Sequence, residues 1–230
     1  MTLPYDAIVF DLDGTLVDTA PDLHRSLNHV LAEAGLKPVA LSDLRHMVGH
    51  GARRMVELGL AANSATDQHD LEAAVQTFLA YYADHLADTS VPFPGAVDCL
   101  ERLAADGAVL GVCTNKWERY STALLDALGL SKYFAAVVGG DSLAVRKPDG
   151  GHITGTLDAM GAAGRRAVMI GDTATDVTAA RNAGVPVAAV SFGYTAEPAA
   201  ALGADGVIDH FDGLETVLAA MAATSRPANA

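Results

Sequence analysis

Short unbroken apolar runs alternate along the chain with longer stretches in which apolar residues recur every three or four positions. Residues 7–10, 109–113, 135–138 and 167–170 are runs of strand length, followed by a fifth at 187–190 and a weaker sixth at 206–208. Continuous rather than alternating apolarity is the pattern of a parallel strand covered on both faces. Between the runs, Val97, Leu100 and Leu103, and then Tyr120, Leu124 and Leu128 with Gly129 as a stop, follow helical periodicity. Strand and helix in alternation predict a doubly wound, mainly parallel, Rossmann-like α/β sheet.

The alternation breaks between residues 18 and 89, where only helices are predicted. One opens at Thr19 with Asp22 three residues on, a capping-box spacing, and Pro21 in the first turn; it carries Leu23, Leu27, Val30, Leu31 and Ala34. Another runs through Leu71, Val75, Phe78, Tyr82 and Leu86. The stretch 18–89 therefore reads as an inserted, small all-helical cap domain on an α/β core made of residues 1–17 and 90–224. The Pro- and Gly-containing segment 91–95 marks the return to the core, and 225–230 reads as a loose C-terminal tail.

Half of the 230 residues are hydrophobic, enough to bury a sizeable core. Twenty-eight acidic against fifteen basic side chains leave a formal charge of −13, which opposes a nucleic-acid-binding role, since phosphate backbones are held by clustered cations. No apolar run nears the ~18 residues of a membrane span, and residues 1–5 lack the basic start and apolar stretch of a signal peptide. The expectation is a cytoplasmic monomer or homodimer that binds neither membrane nor nucleic acid. Cys99 and Cys113 fall inside a helical and a strand pattern and read as reduced core residues.

In an open parallel sheet ligands bind at the carboxyl ends of the strands. The first strand is followed by Asp11-Leu12-Asp13-Gly14-Thr15, the second by Thr114-Asn115, the third by a loop holding Lys147-Pro148, and the fourth by Asp172 with Asp176 beyond it. Asp11, Asp13 and Asp172 gathered at one edge repel one another, which predicts a hard divalent cation, and oxygen-only ligands select Mg2+ over zinc. Asp176, one helical turn beyond Asp172, is a further ligand or the support of one. The Thr114 hydroxyl and the Lys147 ammonium suit phosphoryl oxygens, and Gly14 allows a close turn. Asp11 is then a nucleophile forming an aspartyl-phosphate, and Asp13 the acid and base that serves leaving group and water in turn. Asp18 and Asp22 read as cap or turn residues.

Together these motifs resemble the haloacid-dehalogenase (HAD) superfamily of phosphohydrolases, over about residues 5–221, with the helical insertion similar to that superfamily's small cap. The segment from Asp11 to Asp22, followed by Val48-Gly49-His50-Gly51-Ala52, is most similar to phosphoglycolate phosphatases. The resemblance implies Mg2+-dependent hydrolysis of a small phosphomonoester such as 2-phosphoglycolate. It also implies that Asp13 joins Asp11, Asp172 and Asp176 at the metal through its backbone carbonyl, leaving its carboxylate free. Thr15, Asn115, Gly49, His50, Gly51 and Arg53 are the expected substrate-binding residues. Gly150 departs from the K-P-x-P pattern common in relatives and is expected to loosen the loop after Lys147.

Residues 45–54 form a basic island in an acidic chain. Either a loop at Gly49, His50 and Gly51 opens a helix whose cations, His50 or Arg53, meet a substrate carboxylate, or the island is a solvated helix face. Other readings remain: a HAD-type phosphatase for another small phosphate, a sugar phosphomutase with the same motifs, or a phospho-accepting, receiver-like signalling domain. Thr15, where mutase relatives tend to carry an aliphatic residue, leans towards hydrolysis. The insertion and Asp13 oppose the receiver.

Overall fold

A computed structural model describes residues 3–224; the predicted tail, 225–230, lies outside the described residues. The chain begins with β1 (Ala7–Phe10) and β2 (Val17–Asp18), then passes through α1 (Ala20–Glu33), α2 (Leu41–Arg45), α3 (Ala52–Ala62) and α4 (Leu71–Asp84). It returns through β3 (Val91–Pro92), α5 (Ala96–Ala105), β4 (Val109–Cys113), α6 (Glu118–Ala127) and β5 (Ala136–Val138). It closes with α7 (Gly150–Ala159), β6 (Ala167–Gly171), α8 (Ala174–Ala183), β7 (Val187–Val190), β8 (Gly206–Ile208) and α9 (Leu214–Thr224). All six apolar runs are strands of one parallel sheet in the order β5-β4-β1-β6-β7-β8.

The central strand shows why the runs are unbroken. Ile8 and Phe10 point into one hydrophobic cluster with Leu100, Leu110 and Leu214, while Ala7 and Val9 point into the other with Ile153, Met169 and Val187. A strand alternates faces, so helices on both sides make every position apolar. From β1 the chain winds outward through β4 and β5 on one side and then crosses back to β6 on the other, which makes the carboxyl end of β1 the switch point of the sheet.

Helices α1 to α4 pack on one another around Leu27, Leu31, Leu44, Leu60 and Phe78. The two chain crossings between this insertion and the sheet lie side by side as an antiparallel ribbon, Val17 opposite Pro92 and Asp18 opposite Val91. That ribbon corrects the reading of the first helix. Thr19 precedes α1 but makes no capping bond; its Oγ1 donates to Asp13 Oδ1 at 2.7 Å instead. Asp22 is no turn residue either. Fully buried, it accepts the backbone N–H groups of Thr89 and Ser90 (3.0 and 2.8 Å) and both their hydroxyls (2.6 and 2.7 Å), because the ribbon brings the second crossing against the start of α1. Asp18 likewise accepts the Tyr194 hydroxyl at 2.6 Å rather than capping a helix.

Gly150 does not loosen its loop. It opens α7 and is buried against the end of α8, where a Cβ would stand 2.5 Å from the backbone nitrogen of Ala183. Here glycine permits a close helix approach. Both cysteines are buried and free, as expected. Among the described residues no helix is long and apolar enough to cross a membrane.

Candidate active site

The carboxyl ends of β1, β4 and β6 deliver the predicted motifs to one edge. After β1 the backbone turns at Gly14, whose N–H reaches Val17 O at 3.0 Å. Gly14 has φ +85°, and a Cβ there would sit 2.5 Å from Asp172 Oδ2, so both the turn and the approach of Asp172 require glycine. Asp172 is held by the Tyr194 N–H at 2.7 Å and the Thr15 hydroxyl at 3.2 Å. Thr15 thus supports a carboxylate.

Lys147 Nζ lies 2.8 Å from Asp11 Oδ1 and 2.6 Å from Asp176 Oδ1, with all three side chains buried. Asp176 also accepts the Thr173 N–H at 3.0 Å and its hydroxyl at 2.7 Å. Burial pushes the Asp11 carboxyl up to about 6 against the opposing pull of Lys147, with Asp176 and Asp13 raising it further. Burial, then Asp176 and Asp11, hold Asp172 well above the carboxylate range. Burial alone would lower the Lys147 ammonium, but Asp11 and Asp176 keep it above its ordinary value, so it stays charged. Behind it, buried His152 accepts the Lys147 N–H on Nδ1 at 3.1 Å and donates from Nε2 to Gly139 O at 3.0 Å. Burial lowers His152 to about 4, which keeps the ring neutral, and the Lys147 N–H bond to Nδ1 fixes that tautomer.

Asp11, Asp172 and Asp176 each offer a carboxylate oxygen, and these atoms lie within 4.8 Å of one another. The converging set therefore differs from the predicted Asp11, Asp13 and Asp172. The Asp13 carboxylate turns away, held by Thr19 and by Lys116 Nζ at 3.0 and 3.1 Å. Lys116 was no candidate in the sequence. Its signal was slight, a lysine two residues past Thr114 at the active edge. Buried, it lies over the Tyr82 ring at 4.6 Å, and Asp13 and Tyr82 raise its pKa despite the lowering effect of burial.

A cavity of about 40 Å³ lies between the sheet edge and the insertion. Asp11, Asp13, Thr114, Asn115 and Lys116 line it from the core, and Gly49, Gly51, Met55, Phe78 and Tyr82 from the insertion. Asn115 ties the two together, donating from Nδ2 to Gly49 O and to Lys147 O at 3.0 Å each. Its Oδ1 is buried without a partner among the described residues. Gly51 directly precedes α3, so the predicted loop does open a helix.

The cations of the basic island go elsewhere. His50 is exposed, Arg53 pairs with exposed Glu72, and Arg54 pairs with Glu57 at 2.7 Å. Arg45 lies 3.5 Å from Asp18 and over the Tyr194 ring. None of the four lines the cavity.

Comparison with known proteins agrees with this geometry. A phosphoglycolate phosphatase of Caulobacter vibrioides is 53% identical over 205 residues, covering 89% of this chain and 86% of its own. One from Agrobacterium fabrum is 46% identical over 211 residues, 91% of each chain. The crystal structure of a predicted phosphoglycolate phosphatase from Haemophilus somnus 129PT matches with a TM-score of 0.88 at 27% identity, over 94% of this chain and 99% of that one. The family model for haloacid dehalogenase-like hydrolases matches residues 8–190, spanning every motif at the sheet edge and the whole helical insertion. With that match the receiver-like reading falls, and the chain belongs to the haloacid dehalogenase-like hydrolase family.

Proposed function

We propose that this hydrolase cleaves 2-phosphoglycolate to glycolate and phosphate through an aspartyl-phosphate on Asp11. The observation that carries the reading is a buried nucleophile, Asp11, braced by Lys147 beside a small cavity that Asp13 shares. In the first half, an Asp11 oxygen attacks phosphorus, the ester P–O bond breaks, and Asp13 gives its proton to the departing alkoxide. In the second, water attacks the same phosphorus, Asp13 takes the water's proton, and the bond to Asp11 breaks to release phosphate. Lys147 and the Thr114 hydroxyl offset charge on the phosphoryl oxygens. Asn115, Gly49 and Gly51 shape the floor and lid of the cavity.

The carboxylates of Asp11, Asp172 and Asp176, with the backbone carbonyl of Asp13, would hold Mg2+, which would supply the positive charge that lets a phosphate dianion approach a carboxylate. The buried, mutually repelling oxygens support that assignment. In the same reading residues 1–17 and 90–224 are the catalytic core and 18–89 a cap closing over the leaving group. The test is a panel of phosphomonoesters, with 2-phosphoglycolate, ethyl phosphate and hexose phosphates ranked by kcat/KM at fixed Mg2+. A preference for hexose phosphates over phosphoglycolate overturns the reading.

A further inference from the structure

The catalytic residues recognise the phosphoryl group alone, so preference for one phosphomonoester must come from whatever meets the leaving group. A glycolate leaving group differs from an ethyl one by a carboxylate, and a carboxylate entering a mostly apolar cavity needs a cation there. The basic island does not provide one, since its arginines pair with Asp18, Glu72 and Glu57 and none lines the cavity. Among the described residues, the one cationic side chain that lines the cavity is Lys116.

Its position suits the task. An ammonium has three N–H donors. The Lys116 ammonium donates to both oxygens of the Asp13 carboxylate, at 3.0 and 3.1 Å, and lies 4.6 Å from the centre of the Tyr82 ring. A ligand carboxylate in the cavity would share this ammonium with Asp13. Asp13 must reach the ester oxygen by a hydrogen bond of about 2.8 Å. In a phosphoglycolate the carboxylate stands about 3 Å from that same oxygen, two carbons on. A cation one hydrogen bond beyond Asp13 is therefore within reach of the substrate's carboxylate while Asp13 holds the ester oxygen. Phe78, Leu79 and Met55 beside the cavity exclude water and strengthen the pairing.

We propose that Lys116 is the specificity-determining residue of this enzyme, its ammonium binding the carboxylate of the leaving group in the cavity between core and cap. The proposal rests on the phosphoglycolate reading above and assigns the recognition to the core side of the cavity rather than to the cap's basic loop.

The experiment is a cycle of two substrates and two proteins. For 2-phosphoglycolate and its neutral amide, 2-phosphoglycolamide, kcat/KM is measured with the wild type and with Lys116→Met at fixed Mg2+. The expected result is that the wild type's preference for the carboxylate shrinks by about 10 to 150-fold in the variant, the worth of a hydrogen bond between charged groups. The ratio is read because both substrates lose whatever Lys116 contributes by holding Asp13, and only the carboxylate loses its partner. An unchanged ratio overturns the proposal and leaves Lys116 as a positioning residue for Asp13. So does a ratio that shifts in Arg53→Ala and not in Lys116→Met. Should the Met variant fail to fold, Lys116→Gln keeps a donor for Asp13 without the charge and takes the same comparison. A wild type that turns over the panel phosphates but not phosphoglycolate defeats the functional reading itself, whereas a wild type selective for phosphoglycolate with an unmoved ratio defeats Lys116 alone.

Discussion

One residue separates Asp11 from Asp13, and their neighbours give them different work. Asp11 is enclosed with Lys147, Asp172 and Asp176, whereas Asp13 is drawn off by Thr19 and Lys116. Asp11→Asn should therefore abolish turnover and leave no phosphoenzyme. Asp13→Asn should slow an alkyl phosphate by about 10² to 10⁴-fold, the usual worth of a general acid. With p-nitrophenyl phosphate, whose leaving group needs little protonation, the Asp13 variant should give a rapid burst of nitrophenol and then slow release. A burst in the Asp11 variant instead would reverse the two roles. The motif residues were legible because each follows a strand, directly or, for Lys147, in the loop after it, and so shares one edge. Lys116 was not, because its partners Asp13 and Tyr82 are 103 and 34 residues away and meet only once the insertion folds over the edge. The basic island misled for the same reason: charge in a sequence does not show which face turns inward, and Glu72 is nineteen positions from Arg53.

At the scale of elements, long periodic segments were readable and short ones were not. Six strands and the longer helices follow from apolar spacing alone, but a ribbon of two residues a side, β2 and β3, has no period to detect. Nor does the sequence show that this ribbon makes Asp22 a clasp between α1 and the second crossing. Asp22→Ala would leave the buried backbone N–H of Ser90 and the part-buried one of Thr89 without their acceptor, so a loss of about 2 kcal/mol is expected in urea unfolding. Asp22→Asn should restore part of it, and a loss below about 0.5 kcal/mol would show the clasp to be idle. Where α7 meets α8, Gly150→Ala forces a methyl against the backbone of Asn182 and Ala183. A destabilisation of about 1 to 3 kcal/mol is expected, as for other overpacked sites; a gain in stability, as for glycine replaced in a free loop, would contradict the packing.

Across the whole molecule, stability couples to the charge gathered at the sheet edge. Asp11 titrates near 3.8 when free and at about 6 in the fold. Between those values the folded chain holds a proton that the unfolded chain has released, so this group's contribution falls as pH rises through that window and stays low above it. His152 acts in the opposite direction: free it titrates near 6.5, folded at about 4, so the unfolded chain gains a proton as pH falls from 6.5 to 4 and stability is lost on the acid side. The two overlap between pH 4 and 6, and a plain pH series would blur them. Magnesium separates them, because the cation needs Asp11 ionised, and His152 is not among the carboxylates that converge. At pH 7.5, Mg2+ at a hundred times its Kd should add about 2.7 kcal/mol, or about 5 to 10 °C in Tm for a chain of this size. At pH 5, one unit below the Asp11 value, the Asp11 proton must leave first, which at the same Mg2+ concentration removes about 1.4 kcal/mol of that gain, and Asp172, also raised, adds to the loss. Melting curves with and without Mg2+ at the two pH values test this. A gain that is equal at both, or larger in acid, would mean that the carboxylates around Asp11 are not where the cation binds.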